Sequence, residues 1–284
     1  MIEVAEKNRR FWWLLAPTGF LYGITFVIPL ALLVGLSFAR FEDSITTHGF
    51  YLDNYAKILT DGTTLLIFWK TILLSVYITV SCFVIGYPFA ICMRNTSPRM
   101  QLMLMFIIVS PLLTSIVVRN TAWVLILGRS GVINDVLRGS GIIDKPLHLM
   151  YNEFGVILGV VHVYLSFMVL PIFASLQAIP RSVEEGAASL GASPFRVFRD
   201  ITFALSLPGV MAGCTLVFIL SMGVYVTPVI MGGNFVLTLP MLIADSVRNL
   251  YNWPAASAMA FMLLVAVLIM VIVSVRLQGR TRGN

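Results

Sequence analysis

Charge is scarce in this sequence. Only 11% of its 284 residues are Asp, Glu, Lys or Arg, while 58% are hydrophobic and the mean hydropathy is +0.92. Soluble domains carry about 25% charged residues, so the composition excludes one and indicates a polytopic membrane protein. Cysteine is also sparse. Cys82, Cys92 and Cys214 fall in or at the edge of apolar runs, odd in number and without C-x-x-C spacing, which excludes a disulfide framework or a zinc site. His48, His148 and His162 have no ligand spacing, and His162, inside an apolar run, reads as a hydrogen-bonded packing residue. No G-x-x-x-x-G-K-[ST], H-E-x-x-H or G-x-S-x-G occurs, so the chain reads as a non-enzyme with no nucleotide or metal site of its own.

What the sequence does contain is six apolar runs, each long enough for the roughly 20 residues that cross a bilayer. They span 11–39, 66–92, 101–127, 154–177, 209–231 and 257–277. The predicted fold is all-α, one transmembrane domain over 1–284 with six membrane helices. The first run is longer than a signal-peptide core of about 7–15 residues and is read as retained. Pro17 and Pro29 predict a tilt or kink in it. Lysine and arginine set the orientation. With the N-terminus inside, eleven fall in cytoplasmic segments and six in outer ones, as the positive-inside rule expects. Both termini are then cytoplasmic, and the net charge of +6 belongs to cytoplasmic loops rather than to a nucleic-acid surface. The outer segments 40–65, 128–153 and 235–252 carry short apolar pieces. Leu239, Leu242, Ile243, Val247 and Leu250 predict an outer helix, broken from the fifth run by Gly232-Gly233.

No aspartate or glutamate lies in any of the six runs, which argues against a proton- or sodium-coupled carrier relaying ions through carboxylates. Arg119 in the third run is the exceptional charge, flanked by Asn120 and Trp123. It reads either as a residue of the substrate path or as a clamp onto carbonyls or an outer carboxylate such as Asp245. Lys70 snorkels to the interface. Trp123, Met222, Tyr225 and Asp245 are candidates for lining a path, because aromatic rings and a carboxylate suit an organic cation.

The polar interruption 178–208 carries its own helix signals. Ser182 with Glu185 forms an S-x-x-E capping box, Gly191 supplies a left-handed stop, and Ser193-Pro194 restarts a helix that feeds the fifth run. Residues 184–209, EEGAASLGASPFRVFRDITFALSLPG, resemble the EAA loop of the membrane-spanning subunits of bacterial binding-protein-dependent ABC importers. Glu185, Ala187, Gly191 and Ile201 fall at matching positions. Gly186 stands where the family has its first alanine, and Phe203-Ala204 stand where it has Leu-Pro. LDNYAKIL, VIGYPFAICM, VSPLLTSIVVRNTAWVLIL with GVIND, and NWPAASA extend the resemblance to the spermidine/putrescine-type subgroup.

The resemblance implies a permease subunit of the bacterial inner membrane, in the type I importer fold, moving a small organic solute. A polyamine is favoured, with an opine, amino-acid derivative, phosphonate or iron as other cargo. It implies a cytosolic ATPase dimer that holds the ATP and Mg, a periplasmic solute-binding protein, and a second permease subunit that is a different chain. It makes 182–190 the coupling helix, with Glu184, Glu185, Ala187, Ala188, Leu190, Gly191 and Pro194 docking the ATPase. The alternative class is an ATPase-independent secondary carrier or channel.

Overall fold

The computed structural model describes residues 17–42, 45–47 and 49–281. The start of the first apolar run (11–16), His48, and Lys7, Arg9, Arg10 and Arg282 of the charge count lie outside the described residues. Six described helices are long and apolar enough to cross a membrane. The chain forms two compact units, the first reaching Leu65 and including Leu242–Leu264, the second comprising Leu66–Met241 and the chain from Val265.

In the first unit, α1 (Pro17–Ser37) passes through a π-turn at Gly23–Val27. Pro29 has no N–H for the carbonyl of Thr25, and the wider turn absorbs the mismatch, as a proline inside a helix demands. A two-stranded hairpin follows, β1 (Arg40–Glu42) antiparallel to β2 (Ile45–Thr47), which the all-α reading does not contain. Strands of three residues are too short to show a period in sequence. Next, α2 (Asp53–Thr60) closes the corner. The buried Asn54 donates to the carbonyls of Ser37 (3.1 Å) and Ala39 (2.7 Å), satisfying the last turn of α1. Phe38 stacks on Phe50 with ring centroids 4.5 Å apart, and Tyr55 donates to Ser37 Oγ at 2.6 Å. The aromatics of this segment therefore pack locally.

The second unit holds most of α3 (Gly62–Arg94), then α4 (Pro98–Val109), α5 (Ile116–Leu127), α6 (Val132–Gly139), α7 (Glu153–Gln177), α8 (Arg181–Ser189) and α9 (Pro194–Met222). Beyond α9 come α10 (Leu239–Arg248), which bears out a helix between the fifth and sixth runs, and α11 (Trp253–Thr281). Two predicted runs change shape. The third is split: a 3-10 turn at Ser110–Leu113 ends α4, and extended residues at Thr114 and Ser115 precede α5. Against α7 the pieces still march antiparallel, Gln101 beside Gln177, Ile108 beside Ser166 and Trp123 beside His162, so they make one broken crossing. Length and hydropathy alone, by contrast, pick out Ile116–Gly139 as the third span, with Pro98–Leu113 a shorter apolar helix before it. The fifth run starts at Pro194 rather than 209 and ends at Met222 rather than 231. Ser193 caps it, accepting from Arg196 N at 3.4 Å, so the helix extends into the charged residues before the apolar run. Pro208 within it is preceded by a π-turn at Phe198–Phe203.

The core centres on α7, whose Val156, Val160, Met168, Val169, Ile172 and Leu176 are almost wholly buried. Its tightest neighbour is α9, and small residues set the distance. A Cβ on Gly209 would lie 2.5 Å from the carbonyl oxygen of Pro171 and from Ser175 Cβ; one on Gly213 would meet Met168 Sδ at 3.0 Å. Gly209-Val-Met-Ala-Gly213 is a G-x-x-x-G pattern of the kind that lets membrane helices touch backbone to backbone. A cross-helix bond from Tyr164 OH to Leu220 O (3.1 Å) fixes the pair further, and one between Tyr87 OH and Ser206 Oγ (2.9 Å) ties α9 to α3. Because backbone cannot yield as a flexible side chain can, Gly209→Leu is expected to lower stability by about 1–3 kcal/mol or more. Thermal unfolding in detergent checks this; a variant melting with the natural protein would contradict the close approach.

Candidate functional site: the loop between the fourth and fifth crossings

The loop from Ala178 to Pro208 leaves α7, forms α8, and turns into α9. Its C-terminal stop is as the sequence predicts. Gly191 has φ +89°, its N–H reaches the carbonyl of Ala188 (3.0 Å), and that of Ala192 reaches Ala187 (3.1 Å). This is a Schellman arrangement, which glycine adopts without the penalty of a side chain. The start differs. The N-cap is Pro180, α8 begins at Arg181, and no side chain caps it, so the Ser182–Glu185 capping box does not form. Pro180, with ψ 134°, already holds the chain extended at that position, leaving Ser182 inside the first turn.

No residue of α8 is buried. Glu185, Ala188, Gly191 and Pro194 are exposed, Ala187 is half-buried, and Leu190 is 92% exposed. A Cβ at Gly186 would meet nothing within 4 Å, so no packing contact requires the glycine there. Glu184 is the exception on this helix. One of its oxygens, Oε1, accepts from Arg94 Nη1 (2.7 Å) and from Thr202 Oγ1 (2.6 Å), and Arg94 Nη2 donates to the carbonyl of Ile179 (3.0 Å). The side chains of Arg94 and Glu184 are 10% and 22% exposed. Sequence reasoning passed over Arg94 and Thr202: each lies far along the chain from its partner, and Arg94 stood out only as one cation in a count.

Burial pushes the pKa of Glu184 up, but the bonds from Arg94 and Thr202 and the charges of Arg94 and Arg181 outweigh it and hold it below the usual carboxylate value. A folded-state pKa below the unfolded one adds stability that is present above the unfolded value and lost as pH falls through the folded one. The thermal stability that separates the natural protein from Glu184→Ala is therefore expected to hold constant from neutral pH to about 5 and to disappear only below about 4. A gap that closes between pH 8 and 6 would show that the carboxylate is not the group responsible.

The path candidates are placed as follows. Arg119 Nη1 donates to the carbonyl of Pro111 (2.7 Å) and to Thr114 Oγ1 (3.3 Å), where the break in the third crossing frees backbone acceptors. Trp123 Nε1 donates to His162 Nδ1 at 3.3 Å, and the two rings meet edge to face beside a cavity of ≈ 350 Å³ lined also by Ser81, Ile85 and Phe154. Met222 is buried and Tyr225 half-buried at the end of α9. Asp245 is exposed, lies in the first unit, and accepts from Asn249. Asn120, unexamined by sequence beyond its place next to Arg119, is fully buried and donates to Thr227 Oγ1 at 3.0 Å. Its Oδ1 and the Nε of Arg119 are buried with no hydrogen-bond partner among the described residues. At the other end of α7 from the loop, Asn134 staples the 128–153 segment by bonds to Gly128 O, Leu147 O and Leu147 N. Beside it, a cavity of ≈ 680 Å³ is bordered by Arg129, His148 and Tyr151.

Six helices of membrane length, with a short exposed helix between the fourth and fifth, define a multi-pass membrane protein. Over residues 31–283 the chain matches the family described as binding-protein-dependent transport system inner membrane component, and it belongs to that family. Among relatives, it is 31% identical over 247 residues to the spermidine/putrescine transport system permease protein PotB of Salmonella typhimurium, covering 87% of this chain and 86% of that one. It is 30% identical over 275 residues to PotB of Haemophilus influenzae, covering 95% and 94%. A subunit of a crystallised bacterial alginate ABC transporter, in complex with an alginate pentasaccharide-bound periplasmic protein, shares the fold. That match has a TM-score of 0.74 at 16% identity, covering 96% of this chain and 95% of that one.

Proposed function

We propose that this chain is the permease subunit of an ATP-driven importer of polyamines, with α8 as the helix through which a cytosolic ATPase dimer drives it. The observation that carries the reading is α8 itself: a helix closed by a Schellman stop, with no buried residue and the exposed Leu190 at its end, slung between the crossings packed most closely in the second unit. A helix of nine residues is marginal alone in water, and its outward face, with Glu185, Ala188, Leu190 and Gly191, is free to seat in a partner. With no nucleotide motif in this chain, the energy comes from that partner. The lysine and arginine count supports placing the loop and both termini in the cytoplasm.

The rest of the assembly is a second permease subunit of different sequence and a periplasmic binding protein that delivers solute, all within the lipid of the inner membrane. Polyamine as cargo is supported by the two PotB relatives and by the ring and acceptor chemistry beside the third crossing. The unpartnered Asn120 Oδ1 and Arg119 Nε are buried polar atoms of the kind that cost about 1–3 kcal/mol each when unsatisfied. They support reading Arg119, Asn120 and Trp123 as lining the solute path, with Met222 and Tyr225 as further candidates in the same unit.

The test is uptake of labelled spermidine or putrescine into proteoliposomes holding the whole transporter with its binding protein. Uptake is expected to need ATP and to resist competition by opines, phosphonates and ferric iron. Gly191→Pro, whose ring cannot reach φ +89°, is expected to cut it at least tenfold while the subunit still inserts. Undiminished uptake without ATP would instead identify a secondary carrier, and ferric iron or phosphonate displacing the label would reassign the cargo.

A further inference from the structure

The coupling helix is held to the body of the protein by a polar joint rather than by apolar packing. Between α8, the end of α3 and the first turns of α9 lies a cavity of ≈ 370 Å³, bordered by Ile91, Arg94, Glu184, Ala188, Phe198 and Thr202. No residue of α8 is buried. What bridges the gap is Glu184 Oε1, which takes both the guanidinium of Arg94 at 2.7 Å and the hydroxyl of Thr202 at 2.6 Å, while Arg94 also holds the carbonyl of Ile179. One oxygen thus ties together three segments: the end of the second crossing, the coupling helix and the start of the fifth crossing. Charge-assisted bonds of this length are among the stronger polar contacts, and a displacement of about 1 Å takes them outside hydrogen-bond range.

We infer that Glu184, Arg94 and Thr202 form a transmission joint that carries movement of the coupling helix into the second and fifth crossings together, with Glu184 a positioning residue turned inward. The inference rests on the reading of α8 as the coupling helix. Covalent connection alone links α8 only to the fourth and fifth crossings; the joint adds the second, to which the covalent path from α8 does not lead. Because the space behind α8 is open, a partner that pushes the helix meets little apolar packing before it strains the joint. The neighbouring Glu185 has no such tie and is left outward-facing. A joint made of one carboxylate and two donors is also two-state: it is made or it is broken, and a permease that alternates between rigid-body arrangements needs contacts of that kind.

The experiment measures solute transported per ATP hydrolysed by the complete transporter in proteoliposomes, alongside recovery of the ATPase subunits on purification. Arg94→Ala and Glu184→Ala are each expected to lower the ratio roughly three- to tenfold. Their double variant is expected to be no worse than the worse single, as for residues acting as one unit. Thr202→Val, nearly isosteric but without the hydroxyl, is expected to lower the ratio, and Thr202→Ser to restore it, with ATPase recovery as in the natural protein for both. A purely structural role would move stability in all variants and leave the ratio intact. Additive losses in the double variant, or Thr202→Val coupling as well as Thr202→Ser, would overturn the joint. So would ATPase subunits lost from Glu184→Ala but retained by Arg94→Ala, because Glu184 would then be a docking contact. ATP-independent uptake by the natural protein would instead refute the importer reading beneath it.

Discussion

The contact of α7 and α9 at Gly209 and Gly213 is the constraint on which the second unit depends. Water drives no helix association inside a bilayer, so crossings hold together through close packing and interhelical polar bonds. Here the fourth and fifth crossings meet at backbone distance, and the loop that joins them inherits a fixed base. In the proposed coupling role, α8 could not transmit a push if the helices it hangs from slid past each other. Their rigidity makes its position meaningful, and the polar joint at Glu184 extends that rigidity to the end of α3.

The same bilayer constraint explains the polar residues within the crossings. Irregular backbone at membrane depth has to be satisfied by the protein itself. The third crossing breaks at Ser110–Ser115, and Arg119 supplies donors to the carbonyl and hydroxyl that the break exposes. Ser166 bonds the carbonyl of Ile108 just before it. Asn120 ties the same region to Thr227, beyond the end of α9. The clamp and path readings of Arg119 are therefore compatible: its Nη1 holds the backbone, and its buried Nε and the neighbouring Asn120 Oδ1 are left over.

Much of this was legible in sequence, and the limits have physical causes. Apolar length located the crossings, and the fourth matched within a residue because Asn152 caps it and polar residues bound it. Local signals held where they were backbone requirements, as at Gly191 and at Ser193-Pro194. Ser182 failed because proline two residues earlier had already set the extended geometry of the cap. The split of the third crossing was masked by hydropathy, which stays high through Ser110-Pro111 and Thr114-Ser115. Arg94 and Glu184 sit 90 residues apart, and no periodicity links them. The G-x-x-x-G at 209–213 was in plain view, but only the helix opposite gives it meaning.

The central claim is that α8 faces the cytoplasm and seats in an ATPase. Leu190 is exposed and outside the joint, so a single cysteine there, with the exposed Cys92 replaced by serine, reports on both points. In membranes carrying the whole transporter, Leu190→Cys is expected to cross-link to the ATPase subunit and to resist a membrane-impermeant thiol reagent added to intact cells. Labelling from outside the cell, with no cross-link to the ATPase, would contradict the account.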